Sequence, residues 1–174
     1  MANEQHAALD TAARLLMIFE FCGRFDWEKA RAGINQTRDR LDTSPSEVSQ
    51  RTKHMLLYQD AVCKQAEGDL EGALRLFQSP DLAFEADMKY ESSEKDLRVL
   101  SALNSIMILR GLGSEHTDKA SNLHAAIESH CLNHPNKSFN AAYFVTKATA
   151  NDSNTAITKI KSYLQSVSTM SSKV

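Results

Sequence analysis

The stretch CKQAEGDLEGALRLFQSPDL, residues 63–82, carries the pattern on which the fold prediction rests. Gly68 is followed by an apolar residue at Leu70, a small residue at Ala73 and a large apolar residue at Phe77. Helix-turn-helix repeats place a small residue where the two helices cross and large residues where neighbouring pairs stack. The stretch therefore predicts one helix before the glycine and a second helix directly after it.

The same spacing occurs earlier, in CGRFDWEKARAGINQT, and more weakly further along the chain. Trp27, Ala30 and Ile34 match three of the positions, and Ala120 and Ile160 mark weaker copies. The intervals between the alanines of successive copies exceed the length of about 34 residues that is typical of a tetratricopeptide repeat, so the copies are degenerate. An alanine at the close crossing of any helical hairpin is the alternative explanation for a single copy.

Apolar residues recur at helical spacing along the rest of the chain, and no segment alternates with the period of two expected of strands. The predicted fold class is all-α, with about four antiparallel helix pairs forming a tetratricopeptide-like superhelix over residues 1–174 as a single segment. Within the fourth helix, Gly72 is expected to face away from the crossing and to tolerate alanine. The expected buried stripes include Leu9, Ala12, Leu16 and Phe19 in the first helix, Leu97, Leu100, Asn104, Met107 and Ile108 in the fifth, Ala120, Leu123, Ile127 and Cys131 in the sixth, and Phe139, Ala142, Tyr143 and Thr146 in the seventh.

Composition and charge exclude several classes of protein. The net charge of −2 argues against a protein that binds nucleic acid through bulk charge. The three cysteines are an odd number without short spacing, which argues against a disulfide framework and favours a reducing compartment. The most apolar run, LLMIFEFC, is too short to cross a bilayer, and the first residues lack the features of a secretory signal.

Lysines are concentrated in residues 137–174, which hold five of them against Asp152 as the single acidic residue. We expect Lys147 and Lys159 to be exposed there, and we take them as candidate contacts for an acidic protein partner rather than for DNA. A solvated face without a partner is the alternative interpretation.

Four histidines and a cysteine stand close together in HTDKASNLHAAIESHCLNH, residues 116–134. His130 and His134 have a spacing that can hold a metal ion, but no glutamate follows the first of them as in the HExxH motif. We therefore predict structural histidines and no metal site, no cofactor and no catalytic residues. A metal-dependent enzyme built on this cluster remains the alternative.

A concave surface of the repeats is expected to be apolar. Residues that would hold a peptide carboxylate in chaperone-binding tetratricopeptide domains are replaced by Leu15, Phe19, Tyr58 and Val62. The sequence thus predicts hydrophobic or aromatic contacts with a partner, with no small-molecule substrate and no membrane.

Four phrases, in order, make the chain similar to one known family. FCGRFDWEKA, KQAEGDLEGALRLFQSPDL, EKDLRVLSALNSIMILRGL and HCLNHPNKSFNAAYFVTKAT resemble the fungal branch of the cohesin loading factor family over about residues 12–165. The resemblance implies a nuclear, chromatin-associated, non-enzymatic scaffold that binds the large HEAT-repeat subunit of the cohesin loader, the Nipped-B-like protein. It also implies indirect association with cohesin and with chromatin receptors.

Through that complex the family promotes cohesin loading, and so sister-chromatid cohesion and chromosome segregation during the cell cycle. Members of the family are several times longer, so the resemblance further implies that this chain is an excised segment. A scaffold subunit of another large assembly, of the proteasome-lid or ubiquitin-ligase type, is the alternative that helical hairpins alone leave open.

Overall fold

The computed structural model describes residues 2–43 and 50–148, with side chains described for residues 10–41 and 50–147. These ranges contain only helices and turns, so the predicted all-α fold class is confirmed for them. The SPSE motif at residues 44–47, which is typical of a helix start, and the last of the eight helices expected from four pairs lie outside the described residues. The helices are α1 (Ala2–Gly23), α2 (Trp27–Thr43), α3 (Gln50–Ala66), α4 (Leu70–Phe77), α5 (Ser92–Leu112), α6 (Thr117–Asn133) and α7 (Lys137–Ala148), with a short 3₁₀ helix (Ser114–His116) before α6.

The chain divides into two compact units. Among the described residues, unit 1 comprises residues 2–43, 50–83 and 91–97, and unit 2 comprises residues 84–90 and 98–148. Helices α1 to α4 belong to unit 1, whereas α6 and α7 belong to unit 2. The prediction of a single repeat segment over residues 1–174 stays a prediction.

Helices α1 and α2 form an antiparallel hairpin. In the middle of α1, Asp10 forms an ion pair with Arg40 near the end of α2, with 2.7 Å between Nη1 and Oδ2. Further along α1, Ile18 lies close to Gly33 of α2. A Cβ added to Gly33 would stand 2.9 Å from Cγ1 of Ile18. Asp26 caps the start of α2, since its carboxylate accepts a hydrogen bond from the backbone N–H of Lys29 at 3.3 Å.

A second hairpin joins α3 to α4 through the turn that the opening stretch predicts. Gly68 has a φ of +87°, a conformation that glycine adopts without steric cost. Asp69 then begins α4 by accepting a hydrogen bond from the N–H of Gly72 at 2.9 Å. The hairpin closes around Phe77, whose ring meets Tyr58 of α3 edge-on with 5.6 Å between centroids.

The two hairpins pack side by side with α1 parallel to α3. The side-chain amide of Gln59 donates to the carbonyl oxygen of Leu15 at 3.2 Å. Further along both helices, the Sγ atoms of Cys22 and Cys63 are 4.0 Å apart. This is the arrangement expected of consecutive repeats, in which the first helices of neighbouring pairs stand next to each other.

The stripe predicted to be buried on α1 is wrong. Leu16 is 70% exposed and Phe19 is 42% exposed. The buried positions are instead Leu15 and Ile18, each one residue earlier. Because α1 carries apolar residues on more than one side, periodicity alone does not determine which side faces the core.

The stripe predicted for α5 is also wrong in part. Met107 is 45% exposed, and Asn104 is only half-buried. Val99, Leu103 and Ile106 are buried although they were not assigned to the stripe. These three residues are spaced four and three apart and share one side of the helix, whereas Leu97 and Ile108 of the predicted stripe are buried on another side. More than one side of α5 is therefore buried, so a single apolar stripe does not describe it.

Gly72 does not face open space, which overturns the expectation that it would tolerate alanine. Gly72 is buried, and an added Cβ would overlap the carboxylate of Asp69. The clash arises because the Asp69 side chain folds over the first turn of α4 to cap it. A larger residue at position 72 therefore has to displace the cap.

We expect Gly72→Ala to lower the free energy of unfolding by about 0.5–2 kcal/mol, the typical contribution of an N-cap side chain. In an Asp69→Ala background the same change should be neutral or stabilising, because alanine favours a helix over glycine. Chemical denaturation of the two single variants and the double variant measures this coupling. Additive losses would show that Gly72 is constrained by something other than the cap.

In unit 2, α6 and α7 form an antiparallel hairpin built around Tyr143. The ring of His124 stacks on Tyr143 with 4.2 Å between centroids, and the tyrosine hydroxyl donates to Glu128 at 2.6 Å. Nearer the turn, His134 packs on Phe139 with 4.2 Å between centroids. Three residues of the predicted α6 stripe are buried, namely Ala120, Ile127 and Cys131.

Burial lowers the pKa of His124, and the positive charges of Arg110 and Lys147 lower it further. The unfolded chain, with an ordinary histidine pKa of about 6.5, therefore binds a proton more readily than the folded chain. We expect stability to fall as pH decreases from about 7 to about 5. Thermal melts should show that the melting temperature depends less on pH in His124→Gln than in the unmodified protein, and equally in His116→Gln. The same pH dependence in all three proteins would contradict this prediction.

Candidate protein-interaction surface

The outer side of α1 exposes large apolar side chains. Leu16 and Phe19 lie three residues apart and therefore point to the same side of the helix. The exposed Ala12 continues this stripe by one turn. Single exposed apolar residues are ordinary on protein surfaces, but a contiguous stripe is typical of an interaction site.

Helix α3 carries a matching stripe of Met55, Tyr58 and Val62, which are half-buried. Spacings of three and four residues place them on one side of the helix. That side is turned away from Asp60, which forms an ion pair with Arg38 of α2 at 2.6 Å. The α3 stripe therefore lies away from α2.

The two stripes belong to the same side of unit 1. Because α1 and α3 are parallel and in contact at Cys22 and Cys63, Phe19 stands at about the level of Val62. The α1 stripe also lies on the side away from α2, since Ile18 and Asp10 face that helix. We call Leu16, Phe19, Met55, Tyr58 and Val62 the α1–α3 apolar face.

A separate groove lies between α1 and α2, on the other side of α1. It has a volume of about 190 Å³, and its lining mixes apolar residues such as Met17 and Phe21 with the basic Arg14 and Lys29. Both cations are already paired, Arg14 with Asp10 and Lys29 with Asp26. The charged groups of the groove therefore already have partners within the chain, and we take the α1–α3 apolar face as the candidate interaction surface.

The residues predicted to mark the repeats fall into distinct environments. Trp27 and Leu70 are half-buried, and Trp27 packs against the core of α1, α2 and α3. Gly68 forms the turn between α3 and α4, whereas Ile160 lies outside the described residues. Their assignment to tetratricopeptide crossing positions stays a prediction. The buried members of the set are Ala30, Ile34, Ala73, Phe77 and Ala120.

The histidines in α6 and directly after its end pack against aromatic residues of α7. The rings of His130 and His134 are 5.0 Å apart between centroids, and both contact Phe139. His124 is buried against Tyr143. Packing accounts for the positions of these three imidazoles, and the expected absence of a metal site stays a prediction.

Lys147, a predicted partner contact, is exposed but already has neighbours. Its ammonium nitrogen lies 3.8 Å from Glu128 Oε1 and 5.6 Å from the centre of the Tyr143 ring. The other predicted contact, Lys159, lies outside the described residues. A partner-binding role for the two lysines stays a prediction.

Among protein families, the chain matches the model described as cohesin loading factor over residues 2–174. No curated protein and no solved structure matches it significantly. Within the described ranges, no helix combines the length and the apolar character needed to cross a membrane.

Proposed function

Since the chain belongs to the cohesin loading factor family, we propose that it acts in cohesin loading as a scaffold that binds an extended segment of the large HEAT-repeat subunit of the loader. The Nipped-B-like protein is that subunit. Family membership itself supports the role in cohesin loading and disfavours a scaffold of another large assembly. Because such a loader acts on chromosomes, the proposed site of function is the nucleus, on chromatin.

The α1–α3 apolar face is the observation that carries the scaffold proposal. A partner segment binds a helical-repeat surface by placing apolar side chains on a preformed face of the scaffold. The scaffold thereby holds the main chain of the segment in one conformation. Leu16, at 70% exposed, has most of its apolar surface available for such a contact. Covering that area would favour association through the hydrophobic effect.

We propose that the protein has no enzymatic activity of its own. Three histidines of the sequence cluster, His124, His130 and His134, pack on aromatic rings in unit 2. This aromatic packing supports a structural role for the three imidazoles. A scaffold needs none of these groups for chemistry, whereas it does need an exposed binding face.

The test replaces Leu16 and Phe19 together with glutamine, which keeps a good helix former at both positions. We expect the dissociation constant for the N-terminal region of the large HEAT-repeat subunit to rise at least about tenfold, equivalent to roughly 1.4 kcal/mol. Isothermal titration calorimetry measures the constant, and thermal melting should show that the variant stays folded.

Met107→Gln is the matched control, because it removes an exposed apolar side chain of unit 2 that is not part of the α1–α3 apolar face. Its dissociation constant should equal that of the unmodified protein. Unchanged binding of the Leu16/Phe19 variant would exclude the apolar face as the contact. No binding by the unmodified protein would exclude the partner itself.

A further inference from the structure

Cys22 and Cys63 are brought together by the packing of α1 against α3, although 41 residues separate them in the sequence. Their sulfur atoms are 4.0 Å apart, in van der Waals contact. Cys63 is fully buried, whereas Cys22, near the end of α1, is only half-buried. One thiol of the pair is therefore partly accessible to small reagents, and the other is shielded behind it.

The electrostatic surroundings distinguish the two thiols further. The contact with Cys63 lowers the pKa of Cys22, burial opposes this shift, and the positive charge of Arg31 adds to it. The same contact and burial raise the pKa of Cys63. Because Cys22 is also the more accessible of the two thiols, it is the member that meets an oxidant first, and it reacts as the thiolate.

We propose that Cys22 and Cys63 form a reversible disulfide that links α1 to α3 when the protein meets a hydroperoxide. Forming the bond requires the sulfur atoms to approach from 4.0 Å to about 2.05 Å. The pair joins the first helices of consecutive hairpins, so the bond connects the two repeats of unit 1.

The chemistry balances with hydrogen peroxide as the oxidant. The Cys22 thiolate attacks one peroxide oxygen, the O–O bond breaks, and the leaving hydroxide takes up a proton to give water while Cys22 becomes a sulfenic acid. The Cys63 thiol then attacks the Cys22 sulfur, the S–O bond breaks, and a second water leaves as the disulfide forms. Two thiols are oxidised by two electrons in total, and the peroxide is reduced to two waters.

A dithiol reverses the reaction by exchange, which returns both cysteines to thiols and oxidises the dithiol to its own disulfide. In a reducing compartment the link would therefore form only transiently, during oxidative conditions. Cys22 follows Phe19 by three residues, and Cys63 directly follows Val62, so the link lies beside the α1–α3 apolar face. Oxidation would hold the two helices that form this face in a fixed relation.

The experiment treats the folded full chain with hydrogen peroxide, quenches with acid, and alkylates remaining thiols in denaturant before peptide mass mapping. We expect a Cys22–Cys63 peptide pair lighter than the two thiol peptides by two hydrogen atoms. Cys131 should be recovered as an alkylated thiol, because burial raises its pKa to about 11. Dithiothreitol should return the linked pair to free thiols, and the oxidised protein should melt several degrees higher than the reduced one.

Cys63→Ala should prevent the link and leave a Cys22 sulfenic acid that dimedone traps, whereas Cys131→Ala should leave the link unchanged. If Cys63→Ala fails to fold, mapping of the unmodified protein still decides. Recovery of Cys63 as a free thiol while Cys22 is oxidised further, or links that involve Cys131 instead, would overturn the proposal. A link that forms only after the chain is unfolded would also overturn the proposal.

Discussion

Phe77→Ala is expected to lower the free energy of unfolding by about 3–5 kcal/mol. Phe77 is 1% exposed and fills the space between α3 and α4, where its ring meets Tyr58 edge-on. Truncation removes apolar contacts and leaves a cavity that the surrounding helices fill only in part. Helix α4 is a short helix of eight residues, which depends on such packing because isolated helices of this length are unstable.

Urea denaturation measures this loss, and Phe19→Ala, a substitution in the same unit, is the control. That substitution removes the same atoms from a helix, but at a side chain that is 42% exposed. Its effect on stability should stay within about 0.5 kcal/mol. Equal losses for the two variants would show that Phe77 is not a core residue.

Asp60→Ala is expected to cost about 2–3 kcal/mol of stability. The Asp60 carboxylate is 8% exposed and forms ion pairs with both Arg31 and Arg38, which hold α3 against α2. Removing it leaves Arg31 with its ion pair to Glu67 alone and takes the Asp60 partner from Arg38, next to a partly buried site. The loss stays below that of a fully buried pair because Arg31 is 25% exposed and Arg38 is 44% exposed, so water solvates both.

Glu20→Ala is the matched control for Asp60→Ala. Glu20 pairs with Arg24 on the surface of α1, where both side chains are more than half exposed. Exposed pairs at this spacing contribute only a few tenths of a kcal/mol, so this change should have a small effect. A loss below about 1 kcal/mol for Asp60→Ala would mean that its ion pairs are as solvated as the surface pair.

The hairpins could be predicted from the sequence because their signals are local. Gly68 and Asp69 lie within one turn of the structure that they determine, a positive φ and a helix cap. Asp26 begins α2 in the same way. Interactions between residues three or four apart depend on the helix itself and need no knowledge of its neighbours.

The location of the interaction surface could not be predicted in the same way. Residues such as Leu15 and Leu16 are alike in chemistry and adjacent in the chain, and only packing against α3 buries one and exposes the other. The expectation for Gly72 failed for a related reason. Helical spacing gave the direction of the missing Cβ but not the position of the Asp69 carboxylate above it.

By itself, the sequence determined the helical class, the turns at the glycine and aspartate positions, and the similarity to the cohesin loading factor family. These follow from short-range preferences and from the order of residues, which need no tertiary contacts to be recognised. Only the tertiary structure decided which side of α1 is buried and that Cys22 meets Cys63. Both depend on how α1 packs against α3, and contacts between residues far apart in the chain are set by burial of the whole core rather than by local spacing.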